Sequence, residues 1–407
     1  MKVGVVGLGY VGLPLATVLA LAGHTVTGYD YDIPRLETLR AGHWPPDGAE
    51  PDLPTLFALA VRSGDLRFTA DPAALRECEV ALIAVPTPLD EQHRAPYTEL
   101  LSAIDTVAAN LPPGGLVVVE STVGPGTCDH LLKPRLPRHA LAHCPERLMP
   151  GRALRNLTTL PRVLGADSAN TGGLLLALYG SLTSGALTVT DLVTAELVKT
   201  AENAYRDVEI AFANELAYLC EGYGGDVWQV RELVNALGDR YVLEPGAGVG
   251  GHCLPKDTWL LVQQHGGAEL LPAARRVNER APLRVGWLLI TALEQHGMER
   301  RARVVLLGET YRPDVADARH SPTTALLSHL DGLVRVVVHD PYTRPGDLYE
   351  LAAGADALVL MTAHQEYSNL DFARLRTVMR TPLLIDGRGL WRANPPDGFE
   401  YVLLGRG

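Results

Sequence analysis

Aromatic residues are scarce in this chain: five Phe, five Trp and 14 Tyr among 407 residues. Cysteine is scarcer still, with Cys78, Cys128, Cys144, Cys220 and Cys253 odd in number, widely spaced and never in a CxxC pair. That excludes a disulfide framework and a zinc ribbon, leaves no metal expected, and points to a reducing, cytoplasmic setting. Positive charge is also short: 36 Lys and Arg against 47 Asp and Glu give a net charge of −11. Such a chain lacks the electrostatic footprint of a phosphate-backbone binder, so nucleic acid is not an expected partner. No apolar run reaches the roughly 18–20 residues that cross a bilayer, so no membrane is expected either. Lys2, the apolar residues after it and Ala20-Leu21-Ala22 imitate a secretory leader. Gly4, Gly7, Gly9 and Gly12 interrupt the helix such a leader needs.

Glycine, by contrast, is plentiful at 40 residues, and 47% of the chain is hydrophobic against 20% charged. This is a globular composition with room for two or three domains. Residues 1–190 alternate strand and helix: strands at 2–6, 25–30, 80–85, 116–120 and 162–164, with helices at 14–22 and 99–110 among them. Alternation of this kind predicts a parallel, doubly wound sheet. Residues 191–221 contain no Pro or Gly, repeat apolar residues every three or four positions, and are bracketed by Asp191 and Gly222. They predict one helix about 45 Å long, with Leu192, Leu197, Ile210 and Leu216 as core. Strands resume at 303–307, 335–339, 357–361 and 383–385. The expected architecture is therefore α/β: two Rossmann-like doubly wound domains (1–190 and 300–407) joined by a helical linker (191–299).

Four constellations carry chemistry. The first strand runs into Gly7-Leu8-Gly9-Tyr10-Val11-Gly12 and the second ends at Asp30, the spacing of a dinucleotide-binding turn with a ribose-binding carboxylate. Asp30 favours NAD over its 2′-phosphorylated form, and Arg35 nearby weakens that preference. The second is Gly248-Val249-Gly250-Gly251-His252-Cys253 followed by Lys256-Asp257, a glycine loop presenting a thiol with an acid four residues on. Taken alone, that cysteine reads as well as a small buried hydrophobe, and His252 reads as structural. In the third, Lys199 and Asn203 share one face of the long helix, suited to an oxyanion; the same lysine alone reads as a solvated or ion-paired helix charge. The fourth is Glu120-Ser121-Thr122 with Cys144-Pro145-Glu146-Arg147, both following strands, where doubly wound sheets place ligands. The second α/β segment opens with Gly308-Glu309-Thr310 instead of a second GxGxxG, so it is not expected to hold a dinucleotide in the same manner.

These motifs, with Val85-Pro86-Thr87-Pro88, Lys199 through Arg206, Tyr311-Arg312-Pro313 and Arg319-His320-Ser321-Pro322, resemble in order and spacing the UDP-glucose/GDP-mannose dehydrogenase family of nucleotide-sugar 6-dehydrogenases. The resemblance implies oxidation of a sugar C6 alcohol to a carboxylate with two NAD+, through a thiohemiacetal and a thioester on Cys253. It implies that Lys199 and Asn203 hold the C6 oxygen, that Asp257 and Thr122 position water or take a proton, and that Glu146 serves hydrolysis. Gly7, Gly9, Tyr10, Val11, Gly12, Asp30, Arg35, Thr87, Thr122 and Arg319 would contact NAD. Glu146, Arg147, Lys199, Asn203, Arg240, Arg312 and the backbone of Val249, Gly250 and Gly251 would contact the UDP-sugar, with a homodimer formed through the linker.

Three departures bear on the sugar. His252 and Pro145-Glu146-Arg147 look like the UDP-N-acetylhexosamine branch, while Lys256-Asp257 looks like the UDP-glucose and GDP-mannose branches. Arg312 stands where a lysine is usual, and Pro150 where the UDP-glucose branch often has a second acid. Both UDP-glucose and UDP-N-acetylhexosamines remain open at this point. The alternatives are a two-electron β-hydroxyacid-type dehydrogenase, which has no use for the GGHC loop, and a non-catalytic nucleotide-sugar-binding protein.

Overall fold

Residues 2–6, Lys-Val-Gly-Val-Val, are buried from Val3 onward and form β1 (Lys2–Val6), whose apolar run suits a strand covered on both faces. The structure, a computed structural model, describes residues 1–45, 50–149, 151–298 and 302–407. Pro150 and the domain boundary expected at 299/300 lie outside the described residues. The chain forms two compact units, residues 1–202 with 259–266 and residues 203–258 with 267–407.

In the first unit β1 is joined by β2 (Thr25–Tyr29), β3 (Leu66–Thr69), β4 (Val80–Ile83) and β5 (Leu116–Val119). The sheet continues with β6 (Ala140–His143), β7 (Arg162–Ala166) and β8 (Leu187–Thr190), in the order β3-β2-β1-β4-β5-β6-β7-β8. Its pairs are parallel except β6 with β7, where the expectation of an all-parallel sheet fails. The order reverses beside β1, at the β1–β4 junction, which opens a crevice at the strand ends. The helix after β1, α1 (Gly12–Leu21), starts two residues earlier than its sequence signal and is buried from Gly12 to Ala20. The other helices of this unit are α2 (Ile33–Arg40), α3 (Leu53–Ser63), α4 (Thr98–Asn110), α5 (Ala153–Thr159) and α6 (Ala169–Gly180).

The long helix is α7 (Leu192–Tyr223). Asp191 caps it, accepting from the Thr194 N–H at 2.8 Å. It passes the expected stop at Gly222 and ends at Gly224, whose φ of +71° only glycine adopts cheaply. Buried Glu196 on α7 accepts from the N–H groups of Gly126 (2.5 Å) and Cys128 (2.7 Å), which fixes the start of the helix within the first unit. Leu192 is core as expected, Ile210 and Leu216 are half-buried, and Leu197 is a correction: it is 42% exposed. With Tyr205, Phe212 and Leu219 it makes a solvent-facing apolar stripe along α7.

After α8 (Val227–Asn235), α9 (Leu254–Val262) and α10 (Leu270–Gln295), the second sheet contains β9 (Arg303–Leu307), β10 (Arg335–His339), β11 (Ala357–Leu360), β12 (Leu383–Asp386) and β13 (Glu400–Leu403). Its order is β10-β9-β11-β12-β13 and every pair is parallel. α11 (Pro322–Leu330) covers one face together with α10, around Val285, Leu289, Val304, Leu306 and Ile385. No described helix is long and apolar enough to cross a membrane.

Candidate active site

The glycine turn after β1 has the shape that close approach of a ligand requires. Gly7 sits at φ +87°, and a Cβ on Gly12 would lie 1.9 Å from the Gly7 carbonyl oxygen, so glycine is obligatory at the helix start. A Cβ on Gly9 would meet no atom of the described residues within 4 Å, which suits close approach of a ligand to its backbone. The N-terminus of α1 has no side-chain cap, leaving N–H groups and positive dipole for a pyrophosphate. Asp30 accepts from the Leu8 N–H (2.8 Å) and the Asp32 N–H (3.1 Å), two bonds that leave acceptor capacity for ribose hydroxyls. Arg35 lies beside it, donating from Nε to the Leu8 carbonyl at 2.8 Å, so it is part of this turn and not a solvated charge. Val11 precedes α1, and the Tyr10 hydroxyl donates to buried Glu50 at 2.9 Å. These residues fit a dinucleotide.

Along the same strand ends, Thr87 donates from its hydroxyl to the Thr122 carbonyl at 2.8 Å, joining two of the expected cofactor residues. Ser121 holds Val85 through bonds of 2.9 and 2.7 Å to its N–H and carbonyl. Glu120 is not at the surface of the crevice: it is wholly buried, bonded by the Tyr179 hydroxyl, with Arg162 at 3.5 Å. Burial raises its pKa against the pull of Arg162.

Lys199 on α7 is 7% exposed, which excludes a solvated lysine, and its Nζ lies 3.9 Å from Glu146 Oε1, the ion pair its other structural reading expects. Glu146 follows β6, and its other oxygen accepts from the Leu148 N–H at 2.5 Å. Arg147 points elsewhere, to a paired arrangement with Glu202 and to the Pro161 carbonyl at 2.7 Å. His143, at the end of β6, went unnoticed in the sequence because a histidine among apolar residues reads as core. It is fully buried, its Nδ1 donating to the Val119 carbonyl at 2.9 Å, and burial pushes its pKa down to about 4.

In the second unit the thiol loop is held from the β9 side. A Cβ on Gly250 would strike the His320 carbonyl at 2.6 Å and Tyr311 at 2.7 Å, and the Gly251 N–H donates to the Arg319 carbonyl at 3.1 Å. Gly251 has φ +77°, so the loop turns there as only glycine readily does. Cys253 is the one exposed cysteine of the five, at the entrance of α9. Its carbonyl accepts from the Asp257 N–H at 2.8 Å, which carries the acid back toward the thiol by one turn. Asp257 is 1% exposed, receives the Asn203 side-chain amide at 2.5 Å, and has Lys256 Nζ 3.6 Å from its other oxygen. His252 is exposed; desolvation within the loop and then Arg319 and Lys256 lower its pKa.

The arginines are scattered. Arg319 is clamped by Asp317 through bonds of 2.9, 3.2 and 2.6 Å. Arg312 is half-buried beside Tyr311, its carbonyl accepting from the Thr310 hydroxyl at 3.1 Å. Arg240 is exposed beyond α8 and pairs with Asp239, its chain neighbour. Arg388, not singled out by any motif, donates to the Met361 (2.7 Å) and Gly248 (3.3 Å) carbonyls. Burial pushes its pKa down to about 10, against the pull of Asp386.

The two sheets repeat one device with different outcomes. Gly308 has φ +97° after β9 as Gly7 does after β1, and Asp340 follows β10 as Asp30 follows β2. Asp340, however, accepts from Glu309, Thr310, Tyr342 and Thr343 N–H groups at 2.7–3.1 Å and from His364 Nε2 at 3.0 Å. Burial opposes its ionisation, but His364 and those N–H groups outweigh it and hold the carboxyl well below the usual range. With its lone pairs filled, Asp340 has no capacity left for a ribose. No group of His, Cys, Asp and Glu among the described residues is arranged to hold a metal ion.

A dinucleotide turn at one sheet, a thiol–acid loop and a second nucleotide-binding-like sheet define an NAD-dependent oxidoreductase of two α/β units. The chain belongs to the UDP-glucose/GDP-mannose dehydrogenase family, matching its NAD binding domain at residues 1–183, its central domain at 193–280 and its UDP binding domain at 305–393. The solved UDP-D-ManNAc dehydrogenase from Pyrococcus horikoshii is 36% identical, superposes with a TM-score of 0.95, and covers 100% of both chains. The UDP-N-acetyl-D-mannosamine dehydrogenase of Methanocaldococcus jannaschii is 34% identical over 426 residues, covering 100% of this chain and 97% of that one. The NDP-N-acetyl-D-galactosaminuronic acid dehydrogenase of Ralstonia nicotianae is 34% identical over 419 residues, 96% of each.

Proposed function

We propose that this protein oxidises C6 of UDP-N-acetyl-D-mannosamine to the uronic acid with two NAD+. The observation that carries the sugar assignment is the full-length likeness to the Pyrococcus horikoshii enzyme at 36% identity and a TM-score of 0.95. His252 and Pro145-Glu146-Arg147 support the same branch.

NAD+, held at the Gly7–Gly12 turn and Asp30, would supply the hydride acceptor for both oxidations of C6. Everything else falls to side chains. The Lys199 ammonium and the Asn203 amide, one turn apart on α7, stabilise negative charge as it develops on the C6 oxygen. Asp257 orients Asn203 through their 2.5 Å bond and takes or relays the alcohol proton, with Thr122 beside the cofactor turn positioning water. An aldehyde cannot surrender a second hydride until a nucleophile makes it tetrahedral. Cys253, at the positive end of α9, adds through Sγ, and loss of hydride and oxygen proton leaves a thioester. Water cleaves the thioester to the carboxylate and regenerates the thiol, with Glu146 taking the water's proton beside Lys199. Arg319 and Arg312, the Val249–Gly251 backbone, and Arg388 supply local positive potential for the anionic ligands in a protein of net charge −11. The test is a rate comparison across nucleotide sugars at saturating NAD+. The highest kcat/KM belongs to UDP-N-acetyl-D-mannosamine, and a preference for UDP-glucose would overturn the assignment.

The exposed stripe of Leu197, Tyr205, Phe212 and Leu219 supports a homodimer through α7, since those intervals repeat one helix face. Phe212→Glu then halves the mass measured by light scattering; a native protein that is already monomeric removes the proposal.

A further inference from the structure

Asp207 lies one helical turn beyond Asn203 on α7 and is fully buried. Its Oδ1 accepts from Arg275 Nη1 at 2.7 Å and Asn278 Nδ2 at 2.8 Å, and its Oδ2 shares the Thr258 hydroxyl with the Leu254 carbonyl, each at 3.3 Å. Asn278 Nδ2 also lies 2.9 Å from the Asp207 carbonyl, and its Oδ1 receives Asn214 Nδ2 at 2.9 Å. Asn214 Oδ1 in turn accepts from the Gly246 N–H at 2.9 Å. Arg275 and Asn278 are each 1% exposed, and Thr258 is fully buried.

This one network holds both ends of the segment that carries Cys253. Gly246 begins the glycine loop, and Thr258 follows Asp257 directly. Glycines at 246, 248, 250 and 251 give this segment more backbone freedom than side-chain-bearing residues would, so its geometry is imposed from outside. A buried ion pair is a poor way to stabilise a fold, because apolar side chains of similar volume do as well or better. Directional bonds do what apolar packing does not: they set the register of α9 and the loop against α7 and α10.

We propose that Asp207, with Arg275, Asn278 and Asn214, is a positioning device that fixes the Cys253 loop and the Asn203–Asp257 pair relative to one another. The proposal rests on Cys253 being the nucleophile. Asp207 itself touches no substrate.

The test compares the native enzyme with Asp207→Leu/Arg275→Met, which replaces the ion pair by apolar groups, and with Thr258→Val, which removes the hydroxyl that Asp207 shares with the Leu254 carbonyl. Cys253 is the one exposed thiol, so its alkylation rate by iodoacetamide reads the loop without turnover. The expected result for the double variant is a melting temperature close to native. Its alkylation rate changes at least about threefold, and kcat for UDP-N-acetyl-D-mannosamine oxidation falls by about 10- to 100-fold with KM little altered. Thr258→Val shifts alkylation and kcat in the same directions by less. If the double variant fails to fold, Thr258→Val decides. Native alkylation and native kcat in a folded variant overturn the proposal. Full turnover by Cys253→Ala removes instead the nucleophile reading on which it rests, and leaves the alkylation comparison intact.

Discussion

The side-chain amide of Asn203 donates to Oδ2 of Asp257 at 2.5 Å. One partner is half-buried on α7 and the other 1% exposed on α9. Asp257→Asn keeps the volume but removes the carboxylate that accepts from the Asn203 amide and, in the proposed mechanism, manages the proton. Its kcat falls by about 100- to 1,000-fold while KM for the sugar changes little. Steady-state NADH formation measures both; an equal loss confined to KM would show that Asp257 only binds.

Gly9 and Gly12 separate cofactor binding from folding. An alanine methyl at Gly12 lies 1.9 Å from the Gly7 carbonyl oxygen, so Gly12→Ala lowers the melting temperature and NAD+ affinity together. A methyl at Gly9 meets no atom of the described residues within 4 Å, so Gly9→Ala melts like the native protein and loses affinity alone. Isothermal titration with NAD+ beside a thermal melt checks both. Native NAD+ affinity in Gly9→Ala would place the dinucleotide elsewhere.

Much of this was legible in the sequence, and what was not has physical causes. β1, β4, β5, β9, β11 and β12 announce themselves because strands buried on both faces are continuously apolar. The strands that gave no signal, β3, β8 and β13, are all sheet edges of four residues with exposed positions. Leu197 was misread because helical spacing identifies an apolar face without saying what covers it. In the candidate site, Cys253, Lys199 and Asn203 sat in suggestive contexts, but Cys253 and Lys199 read alone kept a structural alternative, and only the family resemblance gave the three their roles. His143, Asp207, Arg275 and Arg388 did not, since burial of a polar side chain is a tertiary fact. An acid one turn past Asn203 was the only hint of Asp207.

His143 gives the fold a pH dependence of defined sign. Burial lowers its pKa to about 4, its bond to the Val119 carbonyl opposes that, and the charge of Lys199 adds to it. The ring is therefore neutral in the fold, while the unfolded chain takes up a proton near the ordinary 6.5. Its contribution is fully present above pH 6.5 and is lost as pH falls toward 4, by up to roughly 3 kcal/mol. His143→Asn, which does not titrate, loses less stability than the native protein between pH 6.5 and 4.5 in urea melts. Parallel curves for the two proteins would remove His143 as the source.

The most direct test of the account counts electrons. Native enzyme given limiting UDP-N-acetyl-D-mannosamine and excess NAD+ is followed to completion, with NADH read by absorbance and the sugar product by mass. Two NADH per sugar and a uronic acid are predicted, with no acid formed by Cys253→Ala despite normal NAD+ binding. One NADH per sugar with a released aldehyde, or acid formation without the cysteine, would contradict the thioester route.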